Sequence, residues 1–319
     1  MSARPTSPAH PGPRAAAGVT PRRRDLDVDG ARTAFWEYGE QDAATTIVLV
    51  HGFRGEHHGL EPIAARLAEF RVVVPDLPGF GESEPLEHGH EIDGYVRWLR
   101  AFLVALRPAG RFMLLGHSFG SIVVSATLAD QADHPAGRTA DHPDPDEPRP
   151  DLVVLVNPIG APALKGPRAI FTRLAIFYYW LAAALPERLG FALLRNGVIV
   201  RVMSEAMART KDRRLRGWIH AQHAAYFSAF TSRAVVLEAF RASVSHDVSE
   251  YAARIDAPVL LVASDKDDIT PLAAQRRLQT LFPNATLQVV DGGVGHLVHY
   301  EAPDRAAAMV RAFLNGEAA

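Results

Sequence analysis

The chain has 319 residues, enough for one large domain or two modest ones. At 48% hydrophobic and 22% charged it can bury a sizeable core, which excludes disorder throughout. A formal net charge of -2 gives no electrostatic reason to expect nucleic acid as a partner, and the lack of cysteine excludes disulfides, thiolate metal sites and a cysteine nucleophile.

Met1–Arg24 is rich in Pro, Ala and Arg and has no apolar run, so it reads as a disordered tail and not as a secretory signal. Leu26–Tyr38 alternates around Asp29-Gly30, a hairpin signal. Thr46–Val50 is a β-branched run of the kind buried on both faces of a sheet, and it ends in His51-Gly52-Phe53-Arg54-Gly55. Helical spacing over Leu60–Phe70 leads to a second strand, Arg71–Pro75, and then to the loop Asp76–Ser83. Ile92–Leu106 is an amphipathic helix with Tyr95, Leu99, Phe102 and Leu106 on its inner face. Phe112–Leu115 is the next strand, followed at once by Gly116-His117-Ser118-Phe119-Gly120 and by a helix of small apolar residues from Ser121.

Gln131–Pro150 carries five prolines and four aspartates and reads as a disordered insertion in a surface loop. After the strand Asp151–Val156 the pattern changes. From Asn157 to Ala253 there is no strand signal, only helices. The longest apolar run there, Leu174–Leu185, is closed by Pro186 and is too short to span a bilayer. The chain therefore reads as soluble and cytoplasmic, without stable membrane insertion. Ala257–Ala263 and Thr286–Val290 restore the strand pattern, and Ala302–Leu314 closes the chain with a helix. Strands alternating with helices predict an α/β fold with a mainly parallel sheet covered on both faces. Residues 25–156 and 254–319 form the core. Residues 157–253 form a helical cap inserted over the carboxyl ends of the strands, where ligands bind in such sheets.

Strand, G-x-S-x-G and helix, in that order, is the context of a nucleophile elbow. A serine nucleophile needs a base, an orienting acid and donors for an oxyanion. Downstream strand ends offer Asp265, Asp267 and Asp268, then His296 in Gly295-His296. With His51-Gly52-Phe53, the loop Asp76–Ser83, Asp267 four before Pro271, and Glu301-Ala302-Pro303, these residues resemble the α/β-hydrolase fold superfamily, specifically its capped branch of serine hydrolases, over about Leu26 to Leu314. The resemblance implies Ser118 as nucleophile, His296 as base, Asp267 as acid, and an oxyanion hole from the backbone N–H groups of Phe53 and Phe119. Ser264 and Ser121 stand where the family usually has glycine, and neither position holds a reacting group.

Asp265 and Asp268 read as solvated charges. Asn157, at the end of an earlier strand, cannot hold the charge of a histidinium. Asp76 reads as a structural tie for its loop, and His51 as a hydrogen-bonding prop for the oxyanion loop. His57 and His58 lie towards the mouth of the site, and without a nearby carboxylate cluster no metal is expected. Gly292–Gly295 opens no helix with dinucleotide-binding spacing, so no cofactor is expected. Phe177, Tyr178, Trp180, Trp218 and Tyr226 are candidate walls of the substrate pocket. The function expected is a cofactor-independent hydrolysis of a small or medium, apolar, ester-like molecule through an acyl-enzyme. Two alternatives share these residues: a carbon–carbon bond hydrolase of aromatic-ring degradation, and a non-catalytic ligand receptor. Oligomeric state leaves no mark in the sequence.

Overall fold

The β-branched runs assemble side by side. The computed structural model describes residues 19–134, 147–162 and 169–317. Its strands are β1 (Arg22–Val28), β2 (Ala31–Gly39), β3 (Thr45–Val50), β4 (Arg71–Pro75), β5 (Arg111–His117), β6 (Leu152–Val156), β7 (Val259–Ser264) and β8 (Ala285–Val290). They form one eight-stranded sheet in the order β1-β2-β4-β3-β5-β6-β7-β8. β2 runs antiparallel to both neighbours, and the pairs from β4 to β8 are all parallel. The β1–β2 turn is made by Asp29 and Gly30 with φ of 54° and 75°, the left-handed pair that a two-residue hairpin requires.

The period-two rule shows in the central strands. Val48, Val50, Phe112 and Leu114 face one apolar layer, and Ile47, Leu49, Met113 and Leu115 face the other. The first layer is closed by α2 (Ile92–Leu106) and α3 (Phe119–Asp133). The second is closed by α1 (His57–Ala64) and a C-terminal helix, Pro303–Leu314.

Among the described residues, five α-helices stand between β6 and β7: α4 (Ala169–Ala184), α5 (Glu187–Leu194), α6 (Gly197–Met207), α7 (Arg213–Tyr226) and α8 (Arg233–Ser245). They are followed by α9 (Leu272–Gln279), α10 (Val298–Glu301) and the C-terminal helix already named, α11. The inserted helices are tied to the loop after β4. Gly81 N–H donates to Ala229 O at 2.8 Å, Thr231 N–H donates to Gly79 O at 2.9 Å, and Phe80 bridges Phe230. Gly79 is required there: its φ is +84°, and a Cβ would lie 2.5 Å from Val235.

Two boundaries differ from the sequence reading. The expected tail ends earlier than Arg24, because β1 begins at Arg22 and pairs backbone to backbone with β2; a strand held by main-chain bonds needs no apolar run. The expected insertion 131–150 is narrower. α3 continues to Asp133 with Gln131 buried, and Glu147 holds Arg100 at 2.7 Å. Residues 135–146 of that insertion, and 1–18 of the tail, lie outside the described residues.

Candidate active site

Ser118 joins β5 to α3 with φ 53° and ψ -118°, a region costing an ordinary residue about 1–3 kcal/mol. The strain projects its side chain from the strand end. The turn is tight enough that a Cβ on Gly116 would lie 2.5 Å from Gly120 O, and one on Gly120 would lie 2.3 Å from Val50 O. Ser121, in the usual glycine position, hydrogen-bonds the Ser118 carbonyl and accepts from Ile159 N–H at 3.3 Å. Ser118 is partly exposed, whereas Asp267 and His296 are buried.

The structure brings Ser118, His296 and Asp267 together. His296 Nε2 lies 2.9 Å from Ser118 Oγ, and Nδ1 lies 2.7 Å from Asp267 Oδ2. An acceptor-only carboxylate at Nδ1 fixes the tautomer, so Nδ1–H donates to Asp267 and Nε2 faces the serine as acceptor. Asp267 Oδ1 also accepts from Ile269 N–H at 2.7 Å and Thr270 N–H at 3.0 Å. Burial would raise the Asp267 carboxyl, but His296 and the Thr270 donors outweigh it and hold the group well below the usual carboxylate range.

The loop His51–Gly55 is set against Ser118: a Cβ on Gly52 would lie 3.1 Å from Ser118 Cβ. Phe119 is the first residue of α3, so its N–H has no carbonyl one turn back within the helix. His51 props the loop as expected, with Nδ1 2.8 Å from Gly52 O and Nε2 accepting from Leu77 N–H at 2.8 Å. Asp76 ties two segments through three contacts: His57 N–H at 2.8 Å, His57 Nδ1 at 3.0 Å and Glu82 N–H at 2.8 Å.

Three further residues make contacts around this group that the sequence did not assign. Asn157 Nδ2 donates to His296 O at 3.0 Å, and its Oδ1 accepts from Ser264 N–H at 2.9 Å. Glu301 accepts from Gly295 N–H and Thr210 N–H, both at 2.6 Å, linking the histidine loop to the α6–α7 connection. Arg54 is 1% exposed inside the inserted helices. Asn157 at a strand end, Glu301 in Glu301-Ala302-Pro303 and Arg54 beside Phe53 were each visible in the sequence, but their partners were not. Asp265 is not a free charge either: it accepts from Gly293 N–H at 3.0 Å and Val294 N–H at 2.9 Å. Asp268 is exposed and pairs with Arg209.

Of the expected pocket walls, Phe177 and Trp180 are 55% and 47% exposed on the outer side of α4, so they line no enclosed pocket. Tyr178 turns its hydroxyl to Leu193 O at 3.1 Å, Trp218 packs edge-on to Tyr300, and Tyr226 stacks on His58. The aromatic cluster at this loop is instead Phe53 with Phe80, Tyr179 and Phe240, at ring distances of 6.1, 5.5 and 5.4 Å. His57 and His58 do have a carboxylate beside them, contrary to the premise used to dismiss a metal. Glu56 brings an oxygen within 4.8 Å of their ring nitrogens. In this structure that carboxylate hydrogen-bonds His58, while Asp76 takes His57.

Residues 47–309 match the alpha/beta hydrolase family. The chain is 29% identical over 280 residues to a Caulobacter protein with the provisional name carbamate hydrolase RutD, covering 86% of this chain and 92% of that one. It is 24% identical over 307 residues to Lipase 3 of a Moraxella species, covering 92% and 86%. An esterase structure from Thermogutta terrifontis superposes with a TM-score of 0.70 over 93% of this chain and 100% of the other, at 20% identity, which speaks for the fold. Among the described residues no helix is long and apolar enough to cross a membrane. Sheet order, elbow and family match agree: the chain belongs to the alpha/beta hydrolase family and is an enzyme of that fold.

Proposed function

We propose that the chain is a serine hydrolase that cleaves an ester-like substrate with an apolar acyl portion through an acyl-enzyme. The observation that carries this is the unbroken line from Ser118 Oγ through His296 to Asp267. His296 Nε2 takes the hydroxyl proton as Oγ attacks the carbonyl carbon, and the Phe53 and Phe119 amides receive the oxyanion. The imidazolium then gives its proton to the leaving group. Water, deprotonated by the same nitrogen, attacks the acyl-enzyme and releases the acid and free Ser118. Asp267, already held ionised, stabilises the imidazolium at each transfer.

The helices α4–α8 act as a cap in this reading. Support comes from their attachments to the loops that carry the chemistry: Thr231 to Gly79, Thr210 to Glu301, and a small apolar cluster of Ala208, Ile219, Leu297 and Tyr300 beside His296. The names of the relatives, a lipase and a carbamate hydrolase, agree with acyl transfer to water as the reaction type. A fluorophosphonate probe tests the reading. It labels the wild-type protein and leaves Ser118→Ala unlabelled if Ser118 is the activated nucleophile; labelling of both, or of neither, rejects it. A panel of esters varied separately in acyl and alcohol parts then locates the substrate.

A further inference from the structure

Arg54 follows Phe53 directly and takes a left-handed backbone, φ 56°, which sends its side chain away from the loop into the inserted helices. There it is 1% exposed. Nε donates to Phe227 O at 3.0 Å, and Nη2 to Leu194 O at 2.8 Å. These carbonyls belong to the C-terminal ends of α7 and α5, where partial negative charge collects. The guanidinium lies 4.5 Å from the Phe227 ring centroid and 5.5 Å from that of Phe230. Among the described residues its partners are carbonyls, the Ser228, Tyr178 and Tyr179 hydroxyls and aromatic faces, and no carboxylate pairs with it.

Nη1 is the remaining donor group, buried and without a partner. A second donor stands in the same place. The Tyr179 hydroxyl is buried too. Burial raises its pKa, and the positive charge of Arg54 and its hydrogen bonding to the hydroxyl oxygen oppose that rise, leaving the hydroxyl proton without an acceptor. A buried cation without a counter-ion, beside a buried hydroxyl without an acceptor, is costly unless something supplies both. The position matters as much as the chemistry. The Tyr179 ring packs edge-on against the Phe53 ring at 5.5 Å, and Phe53 supplies the oxyanion amide in the reading above. One aromatic wall therefore runs from the scissile carbonyl to Arg54.

We propose that Arg54 Nη1 and Tyr179 Oη form an anchor for a substrate carboxylate at the far end of the acyl portion. The proposal rests on the serine-hydrolase reading and narrows its substrate class to esters of an apolar acyl chain that ends in a carboxylate. A carboxylate accepts from both donors at once and supplies the missing counter-charge. Because the guanidinium is covered here, the anion seats only when the inserted helices shift from this arrangement.

The test compares isosteric pairs. The 4-nitrophenyl monoesters of straight-chain dicarboxylic acids, glutaric to suberic, are set against the neutral nitrophenyl alkanoates of equal length. At one chain length the charged ester is expected to have at least about tenfold higher kcat/KM, the scale of one or two charge-assisted hydrogen bonds, and the gain is expected in KM. Arg54→Met should lose the charged-over-neutral ratio, and Arg54→Lys should keep part of it. Two measurements hold even if Arg54→Met fails to fold. Free dicarboxylate of the preferred length should inhibit the wild type against a neutral ester better than the matching monocarboxylate. The same dicarboxylate should bind Ser118→Ala by calorimetry, which tests the anchor even if fluorophosphonate labelling rejects the serine mechanism. Discrimination against every charged ester overturns the proposal. So does an Arg54→Met variant that loses equally on both ester series, which would make Arg54 a strut between loop and helices.

Discussion

Three aspartates follow β7 within a few residues, and each holds something different. Asp267 takes the imidazole, Asp265 takes two amides of the glycine loop, and Asp268 takes an exposed arginine. Asp267→Asn removes the charge that stabilises the imidazolium and the acceptor that sets the tautomer. Turnover should fall by roughly four orders of magnitude, as in other triads. Asp268→Asn should be close to neutral, because an exposed pair contributes little. Asp265→Asn should act on stability more than on turnover. Steady-state kinetics of the three variants on one nitrophenyl ester decides, and a greater loss in Asp265→Asn would move the acid. Ser118→Ala should retain the fold by circular dichroism while losing about a thousandfold or more in kcat. That Ser118, His296 and Asp267 meet was legible in the sequence because an elbow and the strand ends around it need glycines at fixed offsets. The contacts of Asn157, Glu301 and Arg54 were not. They act by reaching backbone amides and carbonyls far away in the chain, and no local pattern records that.

Between elements, Glu301 is the clearest connection. One carboxylate on α10 receives Gly295 N–H with one oxygen and the Arg209 and Thr210 N–H groups with the other. The histidine loop and the α6–α7 connection are thereby fastened to each other. A carbon side chain at Gly295 would not fit, since its Cβ would lie 2.6 Å from Arg209 Cγ. Glu301→Gln keeps one acceptor oxygen and so satisfies one side at the expense of the other. It should lower unfolding free energy by about 1 kcal/mol, because the donors left unpaired are only partly buried. It should also lower kcat more than KM, because His296 loses its fixed position. Urea titration and kinetics on the same preparation check both, and a variant equal to wild type in both would show the connection to be idle. The element that the sequence misassigned is α4. Its stretch AIFTRLAIFYYWLAAA is apolar on all sides beyond Thr172 and Arg173 near its start. Without a polar face there is no period to say which aromatics turn inward, so Phe177 and Trp180 were placed in the pocket, whereas Tyr179 is the buried one.

At the scale of the molecule, the sheet was legible because a strand covered on both faces is written as a continuous apolar run, and the helix signals fall between such runs. What the sequence does not show is how many histidines folding buries. His117, His223 and His299 are all buried around the site. Burial, with the neighbouring imidazoles, pushes His117 down to about 3 and His223 down to about 4, and holds His299 well below its ordinary value. A histidine whose folded pKa is depressed binds fewer protons than the unfolded chain once pH drops below its unfolded value near about 6.5. Its contribution to stability is therefore complete above that pH and is lost as pH falls towards the folded value. Asp267 and Asp76 also have depressed values, but their losses begin only below about 3.9. His58 runs in the opposite sense. Burial would lower it, but Glu56 raises it, so its contribution is present below about 6.5 and is lost as pH rises through its folded value. The expected profile of unfolding free energy falls on acidification from about pH 6.5, well before the carboxylates titrate, with each depressed histidine adding at most about 1.36 kcal/mol per pH unit. Urea unfolding between pH 8 and pH 4 measures this slope. His223→Gln removes one titrating group from α7 while keeping a polar partner for Ser204, which lies 2.7 Å from His223 Nδ1. The variant should show a shallower decline between about pH 6.5 and pH 4. A wild-type profile flat down to pH 4, or an unchanged slope in His223→Gln, would mean that these imidazoles are not held neutral by the fold.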